Sequence, residues 1–313
     1  MKKYGGQICA CWDFDADAER LILTHTYVEY KTVDDAKRDF KAHSIPYTDK
    51  GIKQEVLMIY IKCNKDNVPH NYNFANAYYG FREMGAEIKF YKEIKDIYDI
   101  VTKDDIVIDY IDQIQWILDK FGCKYSFPNY PDCLEKYMHR MVWHDNINNF
   151  ASDESKWSKG YFIKPVREKT FTGKIVRSIR DLIGCGSCYE NYEILVSEPL
   201  DILAEYRGFI YYDELIDIRP YGSFQRTKDY MYHTYSVETL KEMVQDLQNW
   251  KDKPYAFSMD IAVANIEGKE ETVLVECNDC YALGCYGLQN IMYAKMISAR
   301  WSQLMQRKDW YKF

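Results

Sequence analysis

Two apolar runs late in the chain, AFSMDIAVANI (256–266) and ETVLVECND (271–279), constrain the fold more than any other segment. Both read as strands, and along a strand successive side chains point to opposite faces. Phe257, Met259, Ile261 and Val263 therefore share one face, and Asp260 points to the other. Glu276 and Asn278 stand two apart and share a face, about 7 Å from each other along the strand. If the two strands pair with that face in common, Asp260, Glu276 and Asn278 converge on one space. Three hard oxygen donors suit Mg²⁺, which keeps several waters and binds through one or two carboxylates plus substrate phosphates. The competing reading is three polar residues on the solvated face of a hairpin, and strand alternation alone favours it.

The segments before these strands fall into two styles. From Glu55, strands and helices alternate: EVLMIYI (55–61), a helix over 73–85 closed by Gly85, AEIKFY (86–91), DIVIDY (105–110) and a helix over 111–122 closed by Gly122. Such alternation predicts a small, mostly parallel α/β sheet, and glycine just past each periodic run is the expected cap. The two-proline loop FPNYPD (127–132) marks a boundary. Behind it, Leu134, Tyr137, Met138, Met141 and Val142 recur at helical spacing and predict an amphipathic helix. Strands follow at 161–165 and 191–198, then a hairpin at 204–221, a helix carrying Leu240, Met243, Val244, Leu247 and Trp250, the two late strands, and a C-terminal helix from about Leu288. The expected organisation is a β-rich segment with a short helix near Val33–His43 (1–52), an α/β unit (53–128) and an antiparallel α+β unit (129–313).

Bulk properties narrow the function classes. The formal charge is −7 with acids and bases interleaved, and no basic block marks a nucleic-acid surface. The 29 Tyr are spread evenly, as packing residues would be. No run approaches the ~20 apolar residues of a spanning helix, and MKKYGGQICACWDFD lacks the apolar stretch of a signal peptide. The ten Cys accordingly read as reduced thiols of a cytoplasmic protein. Two CxxC pairs, Cys185/Cys188 and Cys277/Cys280, lie too far apart for paired zinc knuckles, and incidental thiols are the favoured reading.

Further residues could carry charge chemistry. Lys164 in YFIKP, at a strand exit, can aim an ammonium at phosphate oxygens. TFTGK (170–174) offers hydroxyls, a glycine and Lys174 for folding over phosphates. The hairpin holds Glu205, Arg207 and Arg219. The two arginines lie opposite each other on one face if the connection centres on Asp213 with an odd loop, and on opposite faces if the loop is even.

The order of these features, EYRGFI, IDIRPY, MDIAV and VLVECND after a strand lysine, resembles the ATP-grasp fold over about residues 129–290. The pattern is most similar to the R2K clade, named for two Arg and a Lys. The resemblance implies a small pre-ATP-grasp α/β sheet domain followed by an ATP-grasp fold with antiparallel sheets. It implies that Lys164 binds ATP, that Lys174 sits in a phosphate-covering loop, that the backbone of Val196, Ser197 and Glu198 reads the adenine edge, and that Glu205 reaches the ribose. Arg207 and Arg219 would hold the γ-phosphate or acyl group, and Asp260, Glu276 and Asn278 would bind Mg²⁺. An earlier basic residue is common in the superfamily; Lys136 and Arg140 are both candidates, with Arg140 favoured. The expected reaction is ATP-dependent ligation of a carboxylate to an amine, on a small-molecule or peptide substrate. A small-molecule kinase and a non-catalytic ATP-binding protein are the alternatives. No membrane or bulk nucleic-acid partner is expected, and a homo-oligomer stays open.

Overall fold

The computed structural model describes residues 2–4, 7–9, 29–30, 38, 57–125, 127–167, 170–186, 190–221 and 232–313. The chain forms two compact units, Met1–Val56 and Leu57–Phe313. In the first, β1 (Lys2–Tyr4), β2 (Gln7–Cys9) and β3 (Glu29–Tyr30) pair antiparallel in that order. Apart from Arg38, the expected helix near Val33–His43 lies outside the described residues.

The second unit opens as the strand–helix alternation predicts. β4 (Met58–Lys62), β5 (Glu87–Tyr91) and β6 (Ile106–Ile108) form a parallel sheet of order β5-β4-β6. Helices α1 (Tyr72–Glu83) and α2 (Ile111–Lys120) flank it. Asn71 caps α1 by accepting the Phe74 N–H, and Gly85 and Gly122, both at positive φ, follow the two helix ends. One apolar core joins this sheet and its helices to the C-terminal helix and to Phe209, Cys280 and Leu283 from the second half of the unit.

Two antiparallel sheets make up the remainder. The first contains β7 (Val142–Asn146), β8 (Tyr161–Pro165), β9 (Lys174–Val176) and β10 (Glu193–Ser197) in the order β7-β10-β8-β9. Ile163, Val176, Ile194 and Val196 pack one face of it against Ile147 and Phe150 of α3 (Ile147–Ser152). The second contains β11 (Ile202–Tyr211), β12 (Glu214–Pro220), β13 (Ala256–Ile266) and β14 (Lys269–Asp279) in the order β12-β11-β13-β14. Its core face carries Phe257, Met259, Ile261 and Val263, as strand alternation predicts, under Leu240 and Met243 of α4 (Val237–Asp246).

The segment after the two-proline loop differs from its prediction. Instead of one amphipathic helix over 134–142, a short 3₁₀ helix spans Asp132–Tyr137 and the chain then turns into β7 at Val142. Leu134 and Tyr137 do reach the core, but His139 adopts a positive φ of 50° and ends any helical run there. Among the described residues, no helix is long and apolar enough to cross a membrane.

The C-terminal helix α5 (Asn290–Leu304) locks the parallel sheet to the rest by crossing α1 closely at Gly80. A β-carbon at Gly80 would fall 2.6 Å from the Asn290 carbonyl carbon and 2.8 Å from the Ala294 methyl. In an exposed helix, replacing glycine by alanine adds about 1 kcal/mol; at this crossing the sign reverses. Gly80→Ala should lower stability by about 1–3 kcal/mol, read as an earlier midpoint in urea unfolding.

Candidate active site

The two hairpins of the β11–β14 sheet end in two-residue turns, and both correct the resulting register with one extra residue. In β13–β14 the turn is Glu267–Gly268, both at positive φ. From Ile266↔Lys269 to Ile261↔Leu274 the pairing is regular; Val275 is then bulged out, and Asp260 faces Glu276. In β11–β12 the turn is Tyr212–Asp213, Ile210 pairs with Leu215, Ile216 is bulged out, and Arg207 faces Arg219. An even turn alone would have put Arg207 and Arg219 on opposite faces; the bulge returns them to one. Arg207 also faces Asp260 directly. Four charged residues, Arg219, Arg207, Asp260 and Glu276, thus form one row across all four strands on a single face.

Within the row the charges pair. Arg207 Nε and Nη2 donate to Asp260 Oδ1 and Oδ2 at 2.8 and 2.6 Å, a bidentate ion pair with both side chains almost fully buried. Burial works against the charge on Arg207, and the Asp260 carboxylate overrides it, so the guanidinium sits above its usual pKa. Burial, opposed by Arg207 and reinforced by the neighbouring Glu276 carboxylate, pushes Asp260 above the ordinary carboxylate value. The guanidinium also packs beside Tyr221 and Tyr286, whose ring centroids lie 4.5 and 4.6 Å from it and 4.8 Å from each other. Tyr286 reaches it from a backbone at φ 42°.

Lys164 comes from the facing sheet. Its Nζ donates to Glu276 Oε2 at 2.6 Å, with 12% and 26% of the two side chains exposed. Burial opposes the lysine's charge, but Glu276 outweighs it and raises the ammonium above its usual value. Burial likewise opposes ionisation of Glu276, and Lys164 and Asn278 hold it below its usual value. Asn278 Nδ2 donates to both Asp260 Oδ2 (3.0 Å) and Glu276 Oε1 (2.9 Å). Two carboxylates therefore meet at the Asn278 amide nitrogen, and their oxygens, with the amide oxygen of Asn278, are the hard donors that would fit Mg²⁺. Among the described residues no group of three His, Cys, Asp or Glu could hold a metal; the donor set here is completed by an amide.

Arg140 and Lys136 take different places. Arg140 Nη1 donates to the Leu274 carbonyl at 2.7 Å and Nη2 to the Val275 carbonyl at 2.9 Å, so it grips the bulge that positions Glu276. Its guanidinium and the Lys164 ammonium share the Tyr130 ring, at 5.3 and 4.8 Å. Lys136 is turned outward to Asp246. Arg219, though in the row, is held by Asp217 through Nε and Nη2 at 2.8 and 2.6 Å.

The remaining predicted residues are spread along the edges of this space. Lys174 pairs with Ile163 and so lies on the sheet face away from Lys164, with its ammonium on the Ile183 carbonyl at 3.0 Å. Gly173 precedes it, and a β-carbon there would press on the Phe162 ring at 2.5 Å. Val196 is paired on both sides, with Trp143 and Ile163. Ser197 is buried at the strand end. Glu198 lies just beyond it, with its N–H on the Met141 carbonyl and its carboxylate accepting the Met141 N–H. Glu205 shares the face of Arg207, and its carbonyl accepts the Tyr221 N–H. Of the CxxC residues, Cys277 and Cys280 enter two different cores, Cys185 is buried in a third, and Cys188 lies outside the described residues.

The two-proline loop does more than connect. Asn129 forms a bridge to Cys277 of β14, and its amide donates to the Val166 carbonyl just past β8, so the loop ties the two sheets together. Phe127, Pro128 and Asn129 line both a cleft of about 940 Å³ beside Arg207, Glu276 and Asn278 and a smaller one of about 320 Å³ beside Leu195, Met138 and Val142. The larger cleft runs on to Asn71 and Asn73 of the α1 start and to Asp109 and Tyr110 after β6. Tyr130 and Tyr286 escaped the reading of the sequence because they stand outside any periodic run, and Tyr221, the last residue of the hairpin at 204–221, because nothing local marks what it faces. The prolines at 128 and 131 were the one available signal around Tyr130, and they signalled a boundary as readily as a site.

Residues 137–296 match the sequence profile of a family described as ATP-grasp domain, R2K clade family 2. No curated protein matches the chain. Among solved structures, the chain is similar to D-alanine–D-alanine ligase from Bacillus anthracis complexed with ATP, at 12% identity and a TM-score of 0.44, covering 80% of this chain and 98% of that one. It is also similar to N5-carboxyaminoimidazole synthetase from Staphylococcus aureus, at 11% identity and a TM-score of 0.45, covering 80% and 78%.

The Arg207–Asp260 pair gives a direct test of the site's electrostatics. Asp260→Ala leaves a buried guanidinium without its partner and should cost about 3–5 kcal/mol. Adding Arg207→Met should recover part of that loss, a coupling read from urea unfolding of the two single variants and the double variant.

Proposed function

The chain belongs to the ATP-grasp domain proteins of the R2K clade, family 2, and from that membership we propose that it is an ATP- and Mg²⁺-dependent ligase joining a carboxylate to an amine on a substrate of amino-acid or peptide type. The observation that carries this reading is the row Arg219, Arg207, Asp260 and Glu276 on one sheet, met by Lys164 from the other. Phosphoryl transfer asks a protein chiefly for in-line positioning and charge neutralisation, and this site offers both without a nucleophilic side chain.

In this reading ATP lies between the two antiparallel sheets. Its base occupies the smaller cleft, where Met138, Val142 and Leu195 offer apolar surface among polar neighbours, with the strand end at Val196, Ser197 and Glu198 beside it and Glu205 toward the ribose. Lys164 leaves Glu276 for a phosphate oxygen, which frees the carboxylate. Asp260, Glu276 and Asn278 then hold Mg²⁺, which supplies positive charge against the phosphates when bound. Arg207 keeps Nε and Nη2 on Asp260 and offers Nη1 to the transferred group. Arg219 exchanges Asp217 for the same group or for the acyl oxygen, and Arg140 keeps the β14 bulge in place. Lys174, the first residue of the edge strand β9, reaches the phosphates by movement of that edge.

The substrate carboxylate oxygen attacks the γ-phosphorus, and ADP leaves with the bonding electrons. The amine nitrogen then attacks the acyl carbon, phosphate leaves with the electron pair, and the nitrogen gives up a proton. The larger cleft, reaching from Arg207 to Asn71, Asn73 and Tyr110, is the space for both organic substrates. Seven described cysteines are free thiols, which supports a reducing, cytoplasmic setting.

Purified protein supplied with Mg-ATP and mixtures of amino acids and short peptides should release ADP and phosphate in an amine-dependent manner. Glu276→Ala should lower kcat/KM at least about a hundredfold, and Lys164→Met should raise the KM for ATP. ADP appearing with a phosphorylated product and no free phosphate would indicate a kinase. Nucleotide binding without turnover under any acceptor would indicate a binding protein.

A further inference from the structure

The backbone of Tyr286 is strained. It stands at φ 42°, a left-handed conformation that bulky residues rarely adopt. The residue is 41% exposed, so burial of its ring gives little to set against that strain. The fold nevertheless makes room for the ring. Gly284 has no left-handed φ, so its missing side chain serves space alone: a β-carbon there would fall 2.8 Å from Tyr286 Cε2. The Tyr221 hydroxyl is hydrogen-bonded to Tyr286, and the two ring centroids lie 4.8 Å apart.

The loop that presents Tyr286 is fixed from α1. The Cys285 N–H donates to Asn73 Oδ1 at 3.0 Å, and Asn76 Nδ2 donates to the Leu288 carbonyl at 3.0 Å. Between them the Leu288 N–H meets the Cys285 carbonyl at 2.8 Å. The chain is therefore held on both sides of Tyr286. What the ring meets is Arg207, whose guanidinium carbon lies 4.6 Å from its centroid and 4.5 Å from that of Tyr221. Asp260 grips the guanidinium along its Nε and Nη2 edge. A grip along one edge leaves the tilt of the plane about that edge open. Nη1, which takes no part in the grip, swings with the tilt. Aromatic rings attract a guanidinium held near them, and two rings beside one group close the remaining freedom.

We propose that Tyr286, backed by Tyr221, is a positioning residue for Arg207: its ring fixes the tilt of the guanidinium so that Nη1 faces the transferred phosphoryl group. The proposal rests on the reading of Arg207 as a ligand of that group. It gives the strained loop a task, and it makes α1 the outer support of an arginine on β11.

The test is calorimetric titration of the full chain, in Mg²⁺, with ADP and with the β,γ-imido analogue of ATP. Only the second nucleotide offers a γ-phosphoryl group to Arg207. Tyr286→Leu should weaken the analogue about tenfold, as loss of one aligned hydrogen bond to a charged group does, and leave ADP unchanged. Tyr286→Phe, which keeps the ring, should bind both as the parent does. Gly284→Ala touches neither Arg207 nor Asp260, and by displacing the ring it should repeat the selective loss; it carries the test if Tyr286→Leu does not fold. Equal weakening of both nucleotides would mark a ring that merely supports the cleft and overturn the proposal. So would unchanged binding of the analogue by Tyr286→Leu or Gly284→Ala, or a Tyr286→Phe protein as impaired as Tyr286→Leu. Arg207→Lys separates the two readings. If it loses the analogue selectively while the Tyr286 variants do not, Arg207 keeps its role and that of Tyr286 falls. If Arg207→Lys binds both nucleotides as the parent does, or the parent binds neither, the reading of Arg207 and this proposal fall together.

Discussion

One residue out of register, Val275, is the constraint on which the candidate site depends. Without it, Val275 rather than Glu276 would stand opposite Asp260, and Glu276 would point with Leu274 into the apolar core under α4. A bulge leaves backbone carbonyls without ladder partners, and buried carbonyls need donors. Arg140 supplies them, bonding the carbonyls of Leu274 and Val275 from the segment just before β7. The β7 side of the site and the Asp260–Glu276 side are therefore coupled through one guanidinium, with the Tyr130 ring beneath it and beneath Lys164.

Electrostatically, the site is balanced before any ligand arrives. Asp260 is neutralised by Arg207 and Glu276 by Lys164, with Asn278 donating to both acids. Unpaired, these buried charges would be strongly destabilising; paired, they hold a polar group of fixed geometry inside a low-dielectric space. The two pairs differ in character. Arg207 is bound bidentately, packed beside two tyrosines and nearly unexposed, whereas Lys164 makes a single hydrogen bond to a partly exposed glutamate. The first pair is built to stay and the second is suited to exchange.

Much of this was legible in the residue order. The alternation over 55–122 and the glycine caps give the parallel sheet, and period two in 256–266 assigns the residues of β13 that face α4, while Ala256, Ala262 and Ala264 on the other face are buried as well. The ATP-grasp resemblance depended on the order of motifs, and the family match spans the same region. The less legible parts share a physical cause: they depend on contacts distant in sequence. Helical spacing over 134–142 arose from Leu134 and Tyr137 packing under α4 while Val142 joined a strand, two environments that together mimic one period. The place of Lys174 on the far side of its sheet follows from pairing with Ile163, which no local pattern encodes. The loop at 127–132 reads as a linker because prolines mark both linkers and structured crossings; its bridge from Asn129 to Cys277 spans most of the fold.

The bulges also say which aspect of the hairpins evolution is free to alter. Asp260 and Glu276 lie an even number of positions apart, as do Arg207 and Arg219. An even spacing brings two residues face to face either through an odd turn with regular strands or through an even turn with one bulge. What is constrained is thus a parity, not a turn type. A relative could move the surplus residue from the strand into the turn at constant length and keep its site. A lone insertion left unabsorbed between the same two residues would send one of them to the far face. Alignments of such hairpins are better judged by whether gaps come in pairs between the functional positions than by how well the turn sequences agree.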